Sequence, residues 1–575
     1  MIIPSKAWQK AREQRILPET FVEISMNFED ADAAKVATVT ASNEASFSDS
    51  AVVVNEREVP VNPYVFLEQN MWSLDGSKTI MEDLVSYESP GYVSRTDSNA
   101  ALTLRLSEVR TSMIPGITIT WSTEHGEYAS EFTVRVKKGS NTILSRTVKN
   151  NTEVSSFVDM EVANYDSVEI TVSKWCVPNH RVRIERVMFG HTLVFDKSHL
   201  LSYTHEQTGD FTCTELPKNS IEFTIDNSDD RWNPLNKQGF EKYLSERLKI
   251  TVRYGMDLNG MTEWIPGGVF FLSEWRAPSN GLEATFAARD ALEFMLNTPY
   301  QQETPRGRIV SGNRILYSVP ECTGDWDGNF IIQDNFEILE YDLTHGSYRI
   351  RATYYSETRE GWIKASGVQI TTDHTFGQLI DKIPDLSGLP SDVVIENGSS
   401  VKDEDAAVLI NNMSVAELLQ LICNAGSDTL ILKRDGNLKI GIPGGALGSG
   451  NYTIPLSLSY SYPEIELSKP LKKVVLTGSG GVSQEVVFGT SGEVVEIQNP
   501  LVEAKSVYSD FSKYYKRYWN RRETVSGEFR GEPLLDVFDA VAVETKFGKI
   551  DWVVLTSVKY TYTGTFHCSY TGRVM

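Results

Sequence analysis

Ile221-Glu-Phe-Thr-Ile225 and Ile250-Thr-Val-Arg-Tyr254 alternate apolar and polar side chains at every step. A strand repeats its facing every two residues, so each stretch reads as a half-buried strand with one apolar face. The same alternation returns in Ile117-Thr-Ile-Thr-Trp121, Phe132-Thr-Val-Arg-Val136 and Val168-Glu-Ile-Thr-Val172. Turn signals separate such runs: Asp75-Gly76, Lys138-Gly139-Ser140, Asn259-Gly260 and Asp435-Gly436. The last of these joins Thr429-Leu-Ile-Leu-Lys433 to Leu438-Lys-Ile440 as a hairpin. The predicted fold class is mainly β with minor α+β, in several antiparallel β-barrel or β-sandwich domains.

Helices are few and carry local signals. Ser414-Val-Ala-Glu417 is a capping box, followed by Val415, Leu418, Leu419 and Ile422 at helical spacing and closed by Asn424-Ala-Gly426. Such a helix is expected to pack on the hairpin that follows it. Thr375 to Ile383 reads as a shorter helix ended by Pro384. A third, aromatic helix is predicted from about Val502 to Trp519, with Tyr508, Phe511, Tyr515 and Trp519 on one broad side.

The 575 residues suffice for about three to five domains. Residues 59–190 read as an inserted β-sandwich of jelly-roll type, from short strands punctuated by turns. Its flanks, 1–58 and 191–298, are strand-like pieces expected to form one discontinuous domain. A β-rich domain over 299–372, a small α+β domain over 373–450 and a further domain over 451–575 complete the division. Gly, Pro, Asn and Ser concentrate at the boundaries.

With 55 Lys and Arg against 77 Asp and Glu, the formal net charge is −22. That surplus repels phosphate backbones and anionic headgroups, which disfavours nucleic-acid coating and sequence-specific nucleic-acid binding. No stretch approaches the roughly 18 continuous apolar residues of a spanning helix, and no apolar run follows the basic start, so neither membrane anchor nor secretion signal is expected. Cys176, Cys213, Cys322, Cys423 and Cys568 fall into no close pair and read as reduced, mostly buried thiols.

Chemistry is sparse. The eight histidines include no pair at metal spacing, and neither a nucleophile elbow nor a phosphate-binding loop occurs. Asp226-Asn-Ser-Asp-Asp230 spaces oxygen side chains as a calcium loop does, but Arg231 stands where such a loop needs glycine, and an acidic turn leaving a strand is the preferred reading. Asp325 to Asn329 and Asp403-Glu-Asp405 read as solvated acidic loops. No catalytic residue, cofactor or metal is expected, and the chain is read as a non-enzyme. In the inserted unit Trp72, Tyr92, Trp121 and Tyr128 are candidate glycan contacts, because exposed aromatic rings stack on sugars; the competing reading places most of them in the core.

Phe223-Thr-Ile-Asp-Asn227, Asp229-Asp-Arg-Trp-Asn-Pro234, Tyr243-Leu-Ser-Glu-Arg247 and Ile250 to Gly255 resemble, in this order, the hub proteins of bacteriophage tails and related tail-like particles. Trp264 to Leu272 and Ala284-Thr-Phe-Ala-Ala-Arg-Asp290, where an Asp follows the last strand, continue the resemblance. So do the Ser414 helix with its hairpin and the run from Gly527-Glu-Phe-Arg-Gly-Glu-Pro533 to Tyr562-Thr-Gly564. These segments span about three quarters of the chain.

The resemblance implies a homotrimeric baseplate or tail-tip hub, a virion protein assembled in the host cytoplasm, in which 1–58 with 191–298 and 451–575 are two β-barrel domains that form the ring. Its implied partners are copies of itself, the distal tail protein, the tape-measure protein and other tail or baseplate proteins, with host cell-wall glycan as a partner for the insertion. Asp226, Asn227, Trp232, Asn233 and Pro234 are then expected to shape the turn after the first barrel strand, and Arg530, Gly531 and Pro533 one in the second barrel. A carbohydrate-binding adhesin and a tail-associated wall hydrolase stand as alternatives.

Overall fold

A computed structural model describes residues 4–12, 14, 18–30, 33, 37–41, 51–61, 100–177, 182–233, 235–236, 239–240, 243–278, 281–300, 306–312, 314–323, 330–371, 374–406, 413–441, 452–508, 515–516, 519, 521–531 and 533–575. The fold is mainly β, with several antiparallel sheets and a few short helices. The chain divides into two compact units, one of residues 1–24, 195–229 and 250–575, the other of residues 25–194 and 230–249.

In the first unit a large sheet runs through Lys249–Asp257, Thr262–Arg276, Glu283–Arg289, Lys218–Asp226, Leu200–Thr208, Gly548–Tyr562, Phe566–Val574, Glu523–Phe529 and Glu464–Leu467. The alternation of Ile221 to Ile225 does what its period requires: Ile221, Phe223 and Ile225 are buried. Phe223 sits opposite Phe286 on the next strand, their rings stacked at 5.2 Å. The two expected barrel domains are not separate sheets. Leu200–Thr208 pairs antiparallel with Gly548–Tyr562, from Tyr203 opposite Tyr562 to Thr208 opposite Ser557, and carries the sheet from one to the other.

Phe376–Ser387 and Val415–Gly426 are both opened by capping boxes, Thr375 with Gln378 and Ser414 with Glu417. Pro384 does not end the first helix, which runs on to Ser387. A proline in the last turn forfeits one donor, yet its carbonyl still accepts, here from the N–H of left-handed Gly388. The predicted hairpin forms as Thr429–Leu432 and Leu438–Gly441, with Leu430 opposite Ile440 and Gly436 at φ 90°. Of the predicted aromatic helix, Lys505–Tyr508 is a 3-10 turn, while Tyr508 and Tyr515 are buried; residues 509–514, 517–518 and 520 lie outside the described residues.

One apolar core joins Phe211, Phe294, Leu379, Leu418, Ile422, Leu476 and Tyr508. The expected boundaries near 373 and 451 therefore do not separate independent cores. Residues 306–371 do hold a core of their own, around Phe336, Ile338, Tyr348, Ile350 and Ile363, on one face of a five-stranded sheet.

The second unit contains two five-stranded sheets around one core that includes Val39, Val54, Leu104, Ile119, Trp121, Val134, Ile170 and Trp175. It is a β-sandwich, and it starts earlier than residue 59. Ala37–Ala41 pairs with Ala100–Arg110, Ala51–Val54 pairs with Arg186–Met188, and the expected boundary at 58/59 falls inside the strand Arg57–Pro60. The physical reason is alternation: Val39, Val52 and Val54 need the same core as the residues beyond 100.

Candidate functional site

The strands of the large sheet carry a buried polar chain. His205, wholly inaccessible, donates from Nε2 to Asn219 Oδ1 at 2.7 Å, and its Nδ1 accepts from the Tyr254 hydroxyl at 2.8 Å. Tyr203 bonds to the same hydroxyl at 2.7 Å. Burial holds the imidazole neutral, its pKa down at about 4 against an ordinary 6.5. Asn219 N donates in turn to Asp290 Oδ2 at 3.1 Å, and Asp290 Oδ1 caps the turn Ala291–Phe294 through Leu292 N at 2.8 Å. Desolvation raises the Asp290 pKa to about 6, although those amides oppose the rise.

Arg434, at the turn of the small hairpin, reaches into the same region. Its Nε donates to Asp536 Oδ1 at 2.8 Å, and its terminal nitrogens donate to the carbonyls of Pro266, Pro533 and Leu535 at 3.0, 2.8 and 3.2 Å. Burial disfavours both charges, but the pairing outweighs it: Asp536 is held below the usual carboxylate range and Arg434 above its own. Gln207 completes the clamp, donating to Asp536 at 3.2 Å and accepting from Val537 N at 3.0 Å. The hairpin, the loop 533–537 and the strand Leu200–Thr208 are thereby fixed together. These groups point at one another inside the molecule, so the arrangement serves as a brace.

The surface of this unit offers something different at the sheet's end. Glu464–Leu467, paired on one side to Glu523–Phe529, is exposed at all four residues. Ile465 is 50% exposed and Leu467 67%, and just before them Tyr460 and Tyr462 are 57% and 61% exposed. Water-facing apolar and aromatic residues in a row on an end strand mark an interaction surface. Beside it Glu464, Ser526, Thr571 and Ser557 stand opposite one another across four strands. Together with Ser461, Tyr462, Glu528 and Ser569 they line a groove of about 330 Å³. Its walls carry carboxylates, hydroxyls and an aromatic ring, so it accepts cations and hydrogen-bond donors.

The residues singled out in the sequence do not converge. Asp226 and Asn227 lie in the first unit and Trp232 and Asn233 in the second. Asp226 spends its carboxylate on Ser228, bonding its N at 2.9 Å and its Oγ at 3.2 Å, which is turn chemistry. Asn227 is buried, its N donating to Leu282 O at 2.6 Å. Trp232 stacks on Phe28 at 6.1 Å, and Asn233 Oδ1 caps Leu235 N at 3.0 Å; Pro234 lies outside the described residues.

At the other end of the chain, Arg530 N donates to Leu458 O at 2.8 Å and Pro533 supplies a carbonyl to Arg434. Gly531 leaves no room for a side chain, since a Cβ there would lie 2.6 Å from that of Cys568. Trp121 is no glycan contact: it is fully buried, its ring edge-on to Phe132 and Trp175, and its Nε1 donates to Ser156 at 2.8 Å. Tyr128 is half-buried against the same core. Trp72, Tyr92 and the loop Asp325 to Asn329 lie outside the described residues. Sequence reading missed the Arg434 and Asp536 clamp, whose one local trace is an arginine directly before the Asp435-Gly436 turn.

No protein-family model matches the sequence, and no curated protein sequence matches it. Among solved structures the chain is similar to the tail protein of Neisseria meningitidis MC58, at 11% identity and a TM-score of 0.38, over 65% of this chain and 92% of that one. It is similar to the 43 kDa tail protein of prophage MuSo2 from Shewanella oneidensis, at 10% identity and a TM-score of 0.36, over 66% and 95%. It is also similar to the prophage tail protein gp18 from Listeria monocytogenes EGD-e, at 10% identity and a TM-score of 0.36, over 67% and 92%. All three neighbours are described as tail proteins, two of them from prophages, and all are at low identity.

Proposed function

We propose that the chain is a non-enzymatic structural protein of a phage or phage-like tail that forms a trimeric hub ring at the tail's distal end. In this reading it is carried in the virion and contacts the distal tail protein, the tape-measure protein and other baseplate proteins. The observation that carries the reading is the exposed end strand Glu464–Leu467, with Tyr460, Tyr462, Ile465 and Leu467 turned to water. Subunits that form a ring need such a surface, because a strand whose outer edge is unpaired among the described residues, and whose apolar side chains face water, lowers its free energy by meeting another chain. The ordered sequence resemblance to tail hubs supports the same reading.

Electron microscopy of the purified chain, alone and mixed with its neighbouring tail proteins, tests it. Three-fold rings with a central channel are the expected result. Chains that stay monomeric with those partners present overturn the reading.

A further inference from the structure

The end strand and its groove carry negative charge, and the opposite character stands elsewhere on the same unit. The strands Ala540–Thr545 and Gly548–Tyr562 are joined by the two-residue turn Lys546-Phe547. Phe547 is 94% exposed. Its turn is pinned rather than loose: Thr545 Oγ1 donates to Gly548 O at 2.8 Å and accepts from Phe547 N at 3.2 Å. Lys546 and Lys549 flank the ring, Lys549 Nζ lying 3.9 Å from the exposed carboxylate of Asp551 in a pair open to water and so readily exchanged, in a chain whose net charge is −22. A preorganised, fully exposed aromatic between two lysines has the make-up of an interface anchor.

We infer that the Lys546-Phe547 hairpin tip of one copy docks in the groove beside Glu464–Leu467 of a second copy. The tip cannot reach its own groove. Phe547 and the groove residue Ser557 lie on one continuous strand pairing, ten residues apart and so about 30 Å at strand rise. In the second copy the charges match: Lys546 and Lys549 meet the exposed carboxylates of Glu464 and Glu528, and Phe547 meets the ring of Tyr462. The small side chains of Ser526, Ser557 and Thr571 line the groove and offer hydroxyls to the backbone of an entering turn. Tip and groove are different surfaces, so the contact is head-to-tail and generates a ring when its rotation closes. The inference rests on the ring reading and names the two halves of its contact.

The test uses charge reversal in the full chain, followed by native mass spectrometry and sedimentation under conditions where the parent assembles. K546E with K549E is expected to weaken assembly by about tenfold or more, and E464K with E528K to do the same. Combining all four reversals in one chain is expected to restore it. All four residues are on the surface, so the melting temperature should be unchanged, and measuring it excludes misfolding. Assembly that survives both reversals, or loss that the fourfold variant does not repair, overturns the docking and leaves the ring reading standing. A parent chain that never assembles, even with its tail neighbours, overturns the ring reading itself.

Discussion

His205 and Asp428 are buried without charge compensation of their own, and they respond to pH in opposite directions. His205 has its pKa lowered to about 4 by burial, so the unfolded chain takes up a proton that the folded chain refuses. Its contribution is present above the unfolded value near 6.5 and is lost as pH falls toward 4. Asp428 has its pKa raised to about 6 by desolvation, against the hydrogen bonds it accepts from Ser399 Oγ at 2.8 Å and Ser400 N at 3.1 Å. Its contribution is present below the unfolded value of 3.8 and is lost as pH rises through 6. The two partly cancel in the parent, so the prediction concerns differences. His205→Gln should gain on the parent by about 3 kcal/mol between about pH 6.5 and pH 4, and Asp428→Asn should gain a similar amount as pH rises from about 4 to 7. Denaturant melts across that range decide it, and parallel profiles for variant and parent would refute the assignments.

The Arg434 clamp gives a second residue-scale expectation. Asp536→Ala leaves a guanidinium only 7% exposed without its carboxylate, at a cost of about 2–3 kcal/mol. Replacing both partners, by Arg434→Met with Asp536→Leu, should cost less, because no buried charge is stranded. Chemical unfolding of the three chains separates the outcomes. A double variant worse than Asp536→Ala would show that the three backbone carbonyls, rather than the ion pair, depend on the arginine.

Elements were legible where the signal is local. Ser414 and Glu417 lie three residues apart, so the capping box that opens Val415–Gly426 is visible in the letters, and Ser414→Ala should cost about 1 kcal/mol in a thermal melt. The strand Lys218–Asp226 was equally plain at its centre, since the alternation from Ile221 to Ile225 reads as a half-buried strand. Pro384 misled because its rule concerns the donor it lacks, while the last helical turn needs only its carbonyl. The division into domains misled for a related reason. Composition marks where turns concentrate, but the pairing of Leu200–Thr208 with Gly548–Tyr562 joins residues more than 300 positions apart and leaves no trace in either segment. The same holds for the clamp: Gln207, Arg434 and Asp536 become neighbours only after that pairing forms. Trp121 shows the converse, an aromatic whose letters suit a sugar platform and whose place in the alternation of Ile114–Thr120 sends it into the core.

At the scale of the whole molecule, two electrostatic effects of different range bear on assembly. Each chain carries a formal −22, so copies repel over distances set by the Debye length, about 30 Å at 0.01 M salt and about 8 Å at 0.15 M. The lysine and glutamate pairs of the inferred contact act over a few ångströms and, once dehydrated, are screened much less. Raising salt from 0.01 to about 0.15 M should therefore strengthen assembly, because the long-range repulsion fades first. The apolar part of the contact is insensitive to this range. Ile465→Asp with Leu467→Asp should thus weaken assembly at every salt concentration without lowering the melting temperature, since both side chains already face water in the isolated subunit. Sedimentation of parent and variant over the salt series provides the check. Assembly by the parent that falls steadily from the lowest salt would mean that local attraction, not net repulsion, governs the encounter. Indifference to the two aspartates would remove the end strand from the interface and leave the hairpin tip as the surface to pursue.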